Sequence, residues 1–287
     1  MDRRRFITSM AAGAAVAMTT REMAAQISDI KTERMPVVFM GHGSPMNTLE
    51  DNEYTRTWHT IAASIPTPKA ILCISAHWLT HGTAVTAMEH PKTIHDFYGF
   101  PESLSKFEYP APGSPEWAAE TRKQIHSTDV ILDKQEWGLD HGTWSVLAQM
   151  YSKANIPVYQ LSIDFYKGGQ YHYDLGKELR ALRERGVLIM GSGNVVHNLR
   201  LIRWEGGAYE WATEFDSKVK ELLDKGDHQS LIDYKNLGKA AELSVPTPDH
   251  YFPLLYTMGA ADQKDTHTYF NEGADLGSMS MRCVLWK

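Results

Sequence analysis

The chain has 287 residues, 43% apolar and 22% charged, which is enough to bury a full core and excludes a disordered, collagen-like or coiled-coil protein. Its net charge is −6 and its 29 basic residues are scattered, so no nucleic-acid partner is expected. Two cysteines, Cys73 and Cys283, are too few for a disulfide framework or a thiolate metal site, and any metal chemistry falls to the 13 histidines and the carboxylates.

The first residues read as a leader. Arg3-Arg4-Arg5-Phe6-Ile7 ahead of the small apolar run Ser9–Met18 resembles a twin-arginine signal, and that run is too short and too weakly apolar to span a bilayer core of about 30 Å. The expectation is a signal peptide and linker over 1–34, periplasmic export and no stable membrane anchor, with a single domain over 35–287; a cytoplasmic protein starting near Met35 is the alternative.

Beyond the leader, the sequence predicts a strand over 35–40, a helix over 52–64 and strands over 70–75 and 83–88. A helix over 115–126, opened by Ser114 and Pro115, precedes a strand over 130–132, a helix over 143–151 and a strand over 156–163. A helix over 171–185 closed by Gly186, a strand over 187–190 and a helix over 209–225 closed by Gly226 follow. The chain ends with a loop over 238–248, a helix over 251–260 and a strand over 278–285. Most of the strand runs are too uniformly apolar to have a solvated face, so the fold class is α/β, a layered mixed sheet covered by helices on both faces.

Several histidines fall at strand ends. His42, in Gly41-His42-Gly43-Ser44-Pro45, follows the first strand; His77, in Ser75-Ala76-His77-Trp78, ends the second; and His197 follows the strand over 187–190 through a glycine-rich turn. The carboxyl ends of neighbouring parallel strands open into one crevice, so the three can converge, and imidazole suits zinc and non-haem iron. His250, at a helix start in Pro248-Asp249-His250-Tyr251, is a candidate fourth ligand.

His141, before a helix, has the neighbouring carboxylate of Asp140 that an acid–base histidine needs; the alternative is that Asp140 caps the helix and His141 lies at the surface. His95 is a candidate substrate contact or structural hydrogen bonder, and Trp78, Phe97, Tyr98, Phe100, Trp144 and Tyr251 are candidate aromatic walls. The remaining seven histidines, His172 among them, are read as solvated. With no P-loop, no G-x-G-x-x-G after a strand, no G-x-S-x-G and no H-E-x-x-H, nucleotide transfer, Rossmann redox, serine hydrolysis and zincin chemistry lose their usual support.

On these histidine motifs, together with Thr93–Pro101, Tyr109–Gly113, Gly138–Gly142 and Gly193–Asn198, the chain resembles the class III extradiol ring-cleaving dioxygenases, in the branch called 4,5-DOPA extradiol dioxygenases, from Met35 to Leu285. The resemblance implies a phosphorylase-like or LigB-like α/β fold and one divalent metal ion on His42, His77, His197 and His250, Fe(II) for turnover or Zn(II) as bound. It also implies His141 as the acid–base group; His95 and Tyr251 are carried beside it as the candidate substrate contacts. The substrates would be O2 and a small aromatic diol such as DOPA, cleaved at the 4,5 bond with both oxygen atoms inserted.

The general class III pattern has a carboxylate as third ligand where this chain has His250, which leaves His197 either a ligand or a second acid–base group. A zinc-dependent hydrolase and a non-catalytic exported metal-binding protein are the competing readings. The oligomeric state is open, a monomer included.

Overall fold

The computed structural model describes residues 33–205 and 207–287, so the expected leader lies outside it except for Glu33 and Arg34. The strands are β1 (Val37–Gly41), β2 (Ala70–Thr80), β3 (Thr83–Thr86), β4 (Val130–Asp133), β5 (Val158–Asp164), β6 (Val187–Gly193), β7 (His267–Phe270), β8 (Ala274–Asp275), β9 (Met279–Ser280) and β10 (Cys283–Trp286). Eight form one sheet in the order β4-β3-β5-β2-β6-β1-β10-β7, and β8 and β9 pair separately. The centre β5-β2-β6-β1 is parallel, while β3–β5, β1–β10 and β10–β7 are antiparallel, which makes the sheet mixed as expected.

Helices cover both faces. On one, α1 (Glu53–Ser64) and α3 (His141–Met150) bring Trp58, Trp144 and Leu147 onto Val38, Met40, Cys73 and Met190. On the other, α4 (Gly169–Leu179) packs against α6 (Phe252–Ala260), which lies on β6, β1 and β2. Adjacent β1 residues such as Val37 and Val38 are therefore both buried, which is why these strands read as unbroken apolar runs. Local chemistry fixes the helix ends: Asn52 caps α1 in a capping box with Thr55, and Ser114 caps α2 (Pro115–Gln124). Gly226, at φ 67°, closes α5 (Glu210–Lys225), whose Phe215, Val219 and Leu222 form its buried stripe.

The structure differs from the sequence reading in several places, among them the edge strand β7, which falls where no strand was expected. β2 runs on to Thr80 across a register shift between Ile74 and Leu79. The helix expected over 171–185 is α4 followed by a tighter 3₁₀ turn, Arg180–Arg185. The last strand divides into β9 and β10. The segment 238–248, expected as a loop, contains a short helix, Lys239–Ser244, whose buried Ala240, Ala241 and Ser244 supply an inward face too brief to stand out as a period.

Candidate active site

Five histidines meet at the carboxyl ends of the central strands. His42 leaves β1 and donates its backbone N–H to the Gly193 carbonyl at 3.1 Å. His77 lies just past the last β2–β6 pair, Ser75 with Ser192, inside the irregular stretch of β2. Such a bulge re-aims a side chain that a regular strand would send elsewhere.

His141 opens α3, where a side chain on Gly142 would collide with Ser75 Oγ and the His77 ring, so glycine lets the helix approach β2. His250 precedes α6, and its carbonyl accepts the Asn194 N–H at 2.9 Å; a Cβ on Gly193 would sit only 2.2 Å from that carbonyl oxygen. His197, after β6, is held by a bridge to Met279 and by its N–H to the Ser244 carbonyl.

The ring of His42 is centred 5.2 Å from His77 and 5.3 Å from His250, and His77 lies 3.9 Å from His141. His197 and His250 stack at 3.4 Å. All five rings line one cavity of about 650 Å³. Their ligand atoms form two tight groups, His42 with His77 and His141, and His197 with His250 and Asp249.

The donor set fits a divalent metal ion. His42 Nδ1 lies 3.0 Å from Ser192 Oγ, whose own hydroxyl donates to the Gly142 carbonyl, so the imidazole is the donor and its Nε2 keeps its lone pair. His77 and His141 each turn Nδ1 to Asp96, at 3.2 and 2.9 Å, and His250 turns Nδ1 to Asp249. This is the carboxylate-oriented arrangement of metal-bound histidine. Burial first, then neighbouring imidazoles, hold His42 and His77 well below the ordinary histidine pKa, so both imidazoles are neutral at pH 7, the state a metal ligand needs. Their Nε2 atoms stand 3.4 Å apart, and ligand nitrogens at about 2.1 Å from one ion are separated by about 3.0–3.4 Å.

Several expectations need correction. Asp140 does not orient His141: its carboxylate caps α3 at Thr143 N and binds Ser75, Gln160 and Trp137. Asp96 takes that role, and His141 is buried rather than at the surface. Neither His95 nor Tyr251 borders the cavity. His95 turns inward against Phe97 and Trp144 and binds the Phe107 carbonyl; Tyr251 is fully buried, packs on Tyr234 and donates to the Leu231 carbonyl.

Of the expected aromatic walls, Phe97, Tyr98 and Phe100 line the cavity, whereas Trp144 lies in the core and Trp78 stacks on Trp137. His172, read as solvated, is fully buried against the Tyr256 hydroxyl, and burial lowers its pKa to about 4. The sequence reading missed Asp96, Asp249 and Ser192 as supports and Glu50, Asp275 and Trp204 as lining residues. Only Asp96 and Asp249 left a signal, as acids beside singled-out histidines.

Residues 35–277 match the family model described as the catalytic LigB subunit of aromatic ring-opening dioxygenase. The chain is similar to the 4,5-DOPA dioxygenase extradiol of Escherichia coli K12, 49% identical over 260 residues that cover 89% of this chain and 96% of that protein. It is also similar to the Beta vulgaris protein of the same description, at 38% identity over 84% of this chain and 92% of that one. A crystal structure of an E. coli K12 protein described as uncharacterized superposes with a TM-score of 0.77 at 46% identity, covering 88% of this chain and 99% of that one.

Proposed function

The chain belongs to the LigB family of aromatic ring-opening dioxygenases and is an extradiol dioxygenase; from that premise we propose that it opens the ring of a catechol carrying an ammonium arm, as DOPA does, at one Fe(II) held by His42, His77, His197 and His250. Membership of a metal-dependent enzyme family sets aside the hydrolase and the non-catalytic reading. The observation that carries the proposal is the convergence of five imidazoles on one cavity, three of them with Nδ1 already hydrogen-bonded and a fourth, His77, with Nδ1 facing Asp96, so that Nε2 of each is left for the cavity.

When bound, Fe(II) supplies a Lewis acid that favours ionisation of the catechol hydroxyls and a redox-active centre for O2. His141 accepts a hydroxyl proton at Nε2, its ring held by Asp96. Phe97 and Phe100 offer the diol ring an apolar wall. Glu50 and Asp275 line the same cavity; burial and the neighbouring Glu50 push the Asp275 carboxyl up. No lysine or arginine is among the described lining residues. The cavity thus matches an ammonium group and offers no cation to a carboxylate.

The test is oxygen uptake on a catechol panel with the Fe(II)-loaded protein. DOPA and amine-bearing catechols should give a lower KM than catechols whose only arm is a carboxylate. The Glu50→Gln/Asp275→Asn double variant should raise KM for DOPA about tenfold, the loss of roughly 1.4 kcal/mol of charge-assisted bonding, while leaving unsubstituted catechol unchanged. A preference for the acids would overturn the assignment.

We propose also that residues 1–34 route the protein to the periplasm. The support is the arginine triplet before a weak apolar run. A reporter fused to residues 1–34 should be exported, and exchange of Arg3 and Arg4 for lysine should stop it; cytosolic retention of the unaltered fusion contradicts the proposal.

A further inference from the structure

Asp96 occupies a singular position among the carboxylates of the cavity. Oδ2 faces His77 Nδ1 at 3.2 Å, within ion-pair distance; Oδ1 accepts from His141 Nδ1 at 2.9 Å and from the His141 backbone N–H at 3.0 Å. One carboxylate thus holds a metal-ligand histidine and the acid–base histidine, with a different oxygen for each ring.

The segment that carries it is stitched to the start of α3. Thr93 forms a parallel bridge with Leu139, Ile94 N–H donates to the Leu139 carbonyl at 2.7 Å, and Leu139 N–H returns to the Lys92 carbonyl at 2.9 Å. Trp144 Nε1 donates to the Ile94 carbonyl at 2.8 Å, and Phe97 sets its ring edge-on to His141. These contacts fix the carboxylate between the two imidazoles before any substrate enters.

We infer that Asp96 is a positioning residue that sets the tautomers of His77 and His141 together, so that metal binding and proton transfer depend on one side chain. This rests on the reading of His77 as a ligand and His141 as the acid–base group. With both rings protonated at Nδ1, both present Nε2 to the cavity. An asparagine at 96 has one acceptor oxygen and one donor amide, so the amide must face one of the two Nδ1–H groups. That ring must then move its proton to Nε2, where it can neither bind a metal nor accept a proton.

The experiment compares wild type, Asp96→Asn and His42→Ala, each loaded with Co(II) or Fe(II), by chelator competition, by the visible Co(II) spectrum and by steady-state kinetics with catechol. Asp96→Asn should weaken metal binding about 10–100-fold. It should also alter the Co(II) bands and lower kcat at saturating metal with KM little changed, a split that general loss of packing would not produce. Should Asp96→Asn fail to fold, Asp96→Glu decides, since it keeps two acceptor oxygens displaced by one methylene: lowered metal affinity and kcat support the assignment. Unchanged affinity, spectrum and kcat in the folded variant overturn it. If His42→Ala alone loses metal, only the role of Asp96 falls; if both variants keep stoichiometric metal, the metal centre itself is misassigned and the inference falls with it.

Discussion

His42→Ala should purify as a folded protein that no longer holds stoichiometric metal. The side chain is buried at the end of β1 and touches the site on both sides, Nδ1 on Ser192 and Nε2 3.4 Å from His77 Nε2. β1 does not depend on it, because the register Val37–Gly41 against Ile189–Gly193 and the antiparallel pairing with β10 involve backbone alone. Loss of a ligand should reduce metal affinity by at least about a hundredfold, since even residues that only support a ligand typically cost 10–100-fold. Ring cleavage should fall with occupancy. Metal content per chain together with far-UV circular dichroism reads both halves, and a folded variant with full metal would refute the ligand assignment.

His141→Ala should do the opposite, keeping its metal and its catechol affinity while losing turnover about 100 to 10,000-fold, the usual contribution of a general acid–base group. The variant matters because His141 stands close enough to His42 and His77 to be a ligand itself. His250→Ala should weaken metal binding first, with activity partly restored by added Fe(II). If instead His141→Ala loses metal and His250→Ala loses only turnover, the two roles exchange.

The histidines were legible because strand runs and the topology of parallel sheets are written in local pattern: His42, His77 and His197 each follow an apolar run, and the carboxyl ends of those runs meet. What pairs with them was not, since Asp96 and His141 lie 45 residues apart and no period links them. The choice of His95 over Asp96 failed by one position; in an extended segment neighbours point to opposite sides, so His95 meets Trp144 while Asp96 meets the imidazoles. His250 and Tyr251 divide in the same way at the entry to α6, one into the cavity and one into the core. The position of His77 depended on an irregularity in β2 that composition does not announce.

The most direct test of the account is a single turnover of anaerobically Fe(II)-loaded protein with DOPA and isotopically labelled O2, followed by mass spectrometry of the product. The account predicts a ring-opened product carrying both labelled atoms, formed with one O2 consumed per catechol and absent in His42→Ala. A quinone without label, or a labelled product formed equally well by His42→Ala, would contradict it.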